Sequence, residues 1–466
     1  MTRDRLVPSL ALFALVCACG DSDSETPAEA ATEGSTATDG ETEATSAAEQ
    51  EPTFTYWADA KAIIDARCGQ CHRPDNIAPF ALESYDQVAA VAAALPASLE
   101  SGAMPPWPPA DDCQPYAHSR ALSDEELDVL LTWLGEGAPE GDPVDEPSAE
   151  PSDDAGQTSF EPNLTIGMAE PYTPVAEPDD YRCFLIPWPE DETRYVTGYR
   201  VVPGDRNIVH HVIAFKATGD TVAQVQALDD AEPGPGYTCF GGAGAPTSWV
   251  GSWVPGSDVN TMPPGTGVEV EPGAMMVVQM HYNTLSSAPS SDQTRIEFEL
   301  AAEVDKPAVP LPFTNPQWVT GDDPMAIPAG EADVTYAVEA SAQAPLLRLQ
   351  LQSIGVGASD PFLVHQSALH MHYLGTSGRL SVVREGGDDE CVLDIPAWDF
   401  GWQGAYQLME PTRVEPDDLL RLSCTWDNSE ANQPIVDGEV LSPQDVEWGE
   451  GTRDEMCLSV IYATGV

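Results

Sequence analysis

From Phe160 onward the chain is a succession of short alternating runs cut by proline and glycine, among them "RYVTGYRVVP", "IVHHVIAFKA", "GVEVEPGAMMVVQMHYNT", "RIEFELAAEV", "LLRLQLQSIGV", "ALHMHYLG", "RLSVVRE", "LLRLSCTW" and "MCLSVIYAT". No helical period of useful length interrupts them. Period-two alternation with frequent turn residues is the pattern of antiparallel β-sandwiches. About 300 residues suit two such sandwiches in tandem, expected over 159–304 and 305–466 with a boundary near Val304–Pro310.

The stretch 54–143 reads differently. "FTYWADAKAIIDARCGQCH" places Trp57, Ala60, Ile64 and Cys68 on one helical face, and "SDEELDVLLTWLGEG" opens with Ser123 and Glu126 at capping-box spacing before Leu127, Leu130, Leu131 and Leu134. A small all-α domain is therefore expected ahead of a mainly β region.

Around these lie segments that cannot bury a core. Residues 20–53 carry ten acidic and no basic side chains, and 144–158 is acidic and proline-rich; the first reads as a disordered tether over 19–53, the second as a linker. The charged start and the short apolar run "LVPSLALFALV" read as a signal peptide over 1–18. Its end, "VCAC", resembles a bacterial lipobox and would make Cys19 the lipidated first residue. The expected location is outside the cytoplasm, anchored by that lipid in the periplasm or at the outer membrane or surface of a Gram-negative cell, with no other membrane contact. A net charge of −58 excludes nucleic acid as a natural partner.

Cys68-Gly-Gln-Cys71-His72 has the c-type haem attachment pattern, with two thiols for the vinyl groups and the next histidine as an axial ligand. A thioredoxin-like redox pair would need a βαβ context, and a zinc half-site a second Cys or His pair nearby. Met104, in the loop "GAMPPWPP" before the last helix, resembles the distal methionine of class I cytochromes c; His118 is the competing residue. Haem c is the expected cofactor of the small domain.

The chain owns eight histidines, and five fall in predicted strands. His370 and His372 stand at i and i+2, so both can face the same way and hold one metal. His210 and His211 are adjacent, which an ideal strand would point to opposite faces. They share a site only if the strand ends or bulges there, with His281 closing it from a neighbouring strand.

These motifs, in this order, resemble the copper type II, ascorbate-dependent monooxygenases, the family of peptidylglycine α-hydroxylating and dopamine β-monooxygenases. The resemblance implies two copper ions: one held by His210, His211 and His281, the other by His370, His372 and Met456 of "DEMC". The second would be the catalytic, oxygen-meeting site, since a thioether favours Cu(I). It also implies disulfides Cys183–Cys239 and Cys424–Cys457, in "YRCFLIP", "GYTC", "LSCTW" and "DEMC". Cys113 and Cys391 either pair across domains or stay free, and nothing local decides.

The implied activity is hydroxylation of a C–H bond by dioxygen. Peptidylglycine enzymes hold a terminal carboxylate with an arginine, an asparagine and a tyrosine where this chain has Ala368, Leu458 and Val460, so a small uncharged or apolar substrate is expected. Gln279 does match a glutamine of the family, and His365 reads as structural. The fused haem offers a source of electrons; the donor to it is not specified by the sequence. A copper-haem electron-transfer protein and a binding module that keeps only the sandwich remain as other classes.

Overall fold

A computed structural model describes residues 52–466 apart from 75–77, 144–159, 256–258, 285–286, 385, 437–438 and 452. The expected signal peptide, Cys19 and most of both acidic segments lie outside the described residues. Among these residues no helix is long and apolar enough to cross a membrane.

Residues 52–143 form a small helical module. Its helices Lys61–Arg67, Tyr85–Val91, Leu95–Glu100 and Asp124–Gly135 bury Tyr56, Ile64, Val88, Leu99, Leu130 and Trp133 together. The last helix starts where the capping box predicts. Ser123 Oγ accepts from Glu126 N at 3.1 Å, and Glu126 Oε2 accepts from Ser123 N at 2.8 Å.

The remainder is mainly β. A five-stranded sheet runs Tyr237–Thr238, Asp179–Pro187, Met275–Asn283, Val209–Ala217, Ser248–Trp253. A four-stranded sheet runs Val334–Ser341, Leu419–Trp426, Gly375–Val383, Asp389–Ile395. Leu420, Leu422, Cys424 and Trp426 are buried in strict alternation with partly exposed neighbours, as a half-buried strand requires. Met275–Asn283 is instead buried at every interior position, because the sandwich core covers one face and the helix Asp220–Ala231 with Val225, Cys183 and Phe215 lies over the other.

Both smaller sheets pack on one larger sheet rather than on two separate ones. Its order is Leu164–Gly167, Arg295–Ala301, Arg194–Val202, Thr266–Val270, Lys306–Phe313, Leu458–Gly465, Phe362–His370, Ala405–Val414. The join is a parallel pairing, Lys306 with Thr266 through Ala308 with Val268, at the expected boundary. Two sandwich cores persist, but the sheet crosses between them, which leaves no open edge at the junction.

Two further departures from the sequence reading follow from packing. "LLRLQLQS", read as a strand, is part of the helix Pro345–Ser353: Pro345 opens it, and Leu347, Arg348 and Leu351 turn inward while Leu346 and Leu349 are exposed. Alternation of leucine with polar residues over so few positions fits either period. Asp220–Ala231 likewise forms a helix in a region read as wholly β.

The helical module is fastened to the C-terminal half. Cys113 and Cys391 form a disulfide. Residues 115–117 run alongside the strand Ala405–Val414, with Ala117 N donating to Gln407 O at 2.8 Å and Met409 N to Pro115 O at 3.0 Å. Tyr116 OH donates to Val392 O at 3.1 Å, and Trp107 stands edge-on to Tyr406 with ring centroids 5.3 Å apart.

Candidate metal centres

The adjacent histidines are reconciled by a break in register. The strand Val209–Ala217 pairs Val209 with Tyr282 but His211 with His281, so His210 is the extra residue of a bulge. The bulge turns both imidazoles toward one point. His211 Nδ1 lies 3.4 Å from His210 Nδ1 and 3.3 Å from His281 Nδ1. The ligand atoms of all three residues fall within 4.8 Å of one another.

Three like nitrogens this close cannot all be satisfied by one another's protons. A metal ion would accept all three lone pairs. His281 is fixed for that role from behind: Asp179 Oδ1 is 2.8 Å from Nε2, which assigns the proton there and leaves Nδ1 free. Asn283 Nδ2 donates to the same oxygen at 2.9 Å, and the Tyr181 ring stacks on His281 at 4.1 Å.

His370 is the last paired residue of its strand, and His372 lies just beyond it, yet their rings are 5.1 Å apart. Each is held by Nδ1: His370 by Gln403 Oε1 at 2.6 Å, His372 by Asp454 O at 2.9 Å. Both therefore present Nε2. His370 pairs with Leu458 and His372 Nδ1 meets Asp454 O, so Met456 lies in the short segment between the partners of the two histidines. The methionine segment is tied down on each side. Cys457 bonds to Cys424, Tyr181 OH donates to Glu450 O at 2.5 Å, and buried Glu455 accepts from His372 N, Leu374 N and Trp426 Nε1 at 2.8, 2.6 and 2.8 Å. Burial pushes the Glu455 carboxyl up to about 7 against the pull of these donors.

The two sets come from different sandwiches and face each other. The His211 and His370 ring centroids are 6.5 Å apart. Phe400 lies by both, stacked on His210 at 5.1 Å and edge-on to His372 at 6.1 Å. Trp398 Nε1 donates to His372 O at 3.1 Å. A cleft of about 250 Å³ opens nearby between Tyr172, Asp179, Tyr181, Arg182 and Phe240, and no histidine lines it.

Asp179, Tyr181, Phe400, Gln403 and Glu455 escaped the sequence reading. None stands at a ligand spacing, and each acts through a contact between separate elements. Gln279 is buried and donates to Cys239 O at 2.7 Å. His365 Nε2 is 2.9 Å from Thr464 Oγ1. Cys183–Cys239 and Cys424–Cys457 are bonded, as the resemblance implies.

In the helical module Cys68 and Cys71, neither in a disulfide, follow the helix Lys61–Arg67. His72 Nδ1 is 3.1 Å from Phe80 O, which places the ring proton on Nδ1 and leaves the lone pair on Nε2. Two cysteines outside any disulfide, followed by an imidazole so oriented, fit a covalent haem. Met104 is half-buried, its N–H donating to Ser98 O at 3.1 Å, and His118 is exposed.

All five clustered imidazoles are held below their ordinary range, first by burial. His210 falls to about 3, with His281 and His370 adding to the effect, and His211 and His372 are lowered strongly. The unfolded chain takes up protons near the ordinary histidine value while the folded cluster stays neutral. Stability conferred by these groups is thus complete above about pH 6.5 and lost as pH falls below it. Denaturation of the metal-free protein is expected to need less urea at about pH 5 than at about pH 7, and bound copper to raise the requirement at both.

A β-sandwich protein that turns two facing sets of neutral imidazoles inward, one of them beside a methionine segment, is suited to copper or a similar late transition metal. Residues 319–463 match the family described as copper type II ascorbate-dependent monooxygenase, C-terminal domain. Among curated relatives, MOXD1 homolog 1 of Drosophila melanogaster is 23% identical, covering 60% of this chain and 39% of its own length. Dopamine beta-hydroxylase of Canis lupus familiaris is 27% identical, covering 30% of this chain and 19% of its own. The chain thus spans well under half of these relatives' lengths. Among solved structures, the major capsid protein P2 of bacteriophage PM2 aligns at 8% identity over 65% of this chain and 97% of that one, with a TM-score of 0.25, too slight to bear on fold or function.

Proposed function

We propose that the chain is an exported, copper-dependent monooxygenase that hydroxylates a C–H bond of a small, uncharged or apolar substrate with dioxygen, using electrons from a haem c on its helical module. The observation that carries this reading is the pair of facing donor sets of unlike composition: converging Nδ1 atoms of His210, His211 and His281, opposite Nε2 atoms of His370 and His372 beside the Met456 segment. Copper in those sets would supply one-electron chemistry and the activation of dioxygen. The chain's own residues do the positioning.

Asp179 and Gln403 fix which nitrogen each histidine offers, Glu455 holds the turn after His370, and the Cys424–Cys457 bond keeps the methionine beside it. An apolar substrate is supported by the strand face that His370 shares. Ala368 pairs with Val460 and with Ala405, and Leu458 stands opposite His370, so these positions offer a substrate carboxylate no cation. Export is supported by three disulfides, which persist outside the cytoplasm.

The test is an oxygen electrode. Purified protein assayed for copper and haem, then supplied with a reductant and candidate apolar substrates, is expected to consume dioxygen in proportion to hydroxylated product. Bound copper and haem with no substrate-dependent uptake across such a screen would instead favour an electron-transfer protein.

A further inference from the structure

The loop of the helical module that holds Met104 and the second histidine set are linked by two stretches of chain that meet at the module interface, 104–120 and 398–406. Trp107 lies three residues after Met104 and meets Tyr406 edge-on at 5.3 Å; Arg120 caps the other contact of that indole, 5.4 Å from its centroid. Tyr406 is 4% exposed, and Tyr116 flanks it at 6.0 Å, so the ring contact is dry. Three residues before Tyr406, Gln403 accepts from His370 Nδ1 at 2.6 Å. The same stretch reaches His372 through Trp398 and His210 through Phe400. The Cys113–Cys391 bond and the paired backbone at 115–117 hold this arrangement in place, unlike a module that must diffuse on a tether.

We propose that electrons enter the copper centres at the His370, His372, Met456 set, from the helical module, through Trp107, Tyr406 and Gln403. This rests on the reading that Cys68, Cys71, His72 and Met104 hold haem and that both histidine sets carry copper. In the step one electron is transferred: Fe(II) of the haem is oxidised to Fe(III) and Cu(II) at His370 is reduced to Cu(I). No bond forms or breaks. The haem is returned to Fe(II) by a one-electron donor outside the chain. Coupling across bonded atoms and one hydrogen bond decays far less than across open space, and this path holds a single ring-to-ring gap between Trp107 and Gln403. His370 is the first ligand on it; the three-histidine set is reached from the same stretch only across a second ring contact, Phe400 on His210.

The experiment is an anaerobic flash measurement on the oxidised holoprotein. A photogenerated ruthenium complex delivers less than one electron per chain, and haem absorbance and the cupric resonance are followed in time. The expected result is haem reduction followed by reoxidation as cupric signal is lost. Trp107→Leu should slow that second phase by about tenfold or more, a barrier change of about 1.4 kcal/mol, with haem spectrum and copper content unaltered, and Trp107→Phe should restore most of the rate. His281→Ala should keep the phase and His370→Ala should abolish it, which decides the matter even if Trp107→Leu fails to fold. An unchanged rate in a folded Trp107→Leu protein, or a phase that survives His370→Ala and is lost in His281→Ala, would overturn the route. Protein that binds no haem or no copper would overturn the underlying reading instead.

Discussion

Met456→Ile is expected to yield a folded, copper-binding protein that forms no product. Ile and Met have similar volumes, so the exchange in a partly buried segment already pinned by Cys457 should cost less than about 1.5 kcal/mol. His370 and His372 keep their Nε2 atoms, because Gln403 and Asp454 hold them independently of the methionine. What is lost is the soft thioether that favours Cu(I), the oxidation state that meets dioxygen. Haem content and the three-histidine set should be unaffected. Product formed at the wild-type rate would make Met456 a packing residue only.

Glu455→Leu should be the most damaging single change to the fold of the site. Glu455 is 1% exposed and accepts from three N–H groups that no leucine could satisfy. Each donor left unpaired in the interior costs about 1–3 kcal/mol, a large share of a typical stability of about 5–15 kcal/mol. Chemical denaturation should show that loss, and copper at the His370 set should become labile, because the turn carrying His372 is no longer held against Trp426. Glu455→Gln keeps the shape and one acceptor oxygen, so its loss should be clearly smaller. A Glu455→Leu protein as stable as wild type would mean that the three donors find water.

Much of this was legible in the residues themselves. The strand pattern points to the mainly β region, Ser123 and Glu126 give the cap of the last module helix, and two adjacent histidines sharing a site call for a strand end or a bulge, of which the bulge appears at His210. What stayed hidden depends on which elements meet. Pairing of Lys306–Phe313 with Thr266–Val270 merges two expected sheets into one, and no local pattern encodes it. The Cys113–Cys391 bond spans a sequence separation of 278. Phe400 and Gln403 sit in the segment between the strands Asp389–Ile395 and Ala405–Val414, and only the approach of the two sandwiches places them on His210 and His370. "LLRLQLQS" shows the reverse limit, a local pattern too short to choose its own period.

The central claim is that the two histidine sets hold two copper ions of different kinds. X-ray absorption at the copper edge of the reduced protein tests it most directly. The account predicts two coppers per chain, with sulfur scattering from one of them that vanishes in Met456→Ile while nitrogen scattering from both remains. A single copper per chain, or an all-nitrogen environment in the wild type that Met456→Ile leaves unchanged, would contradict it.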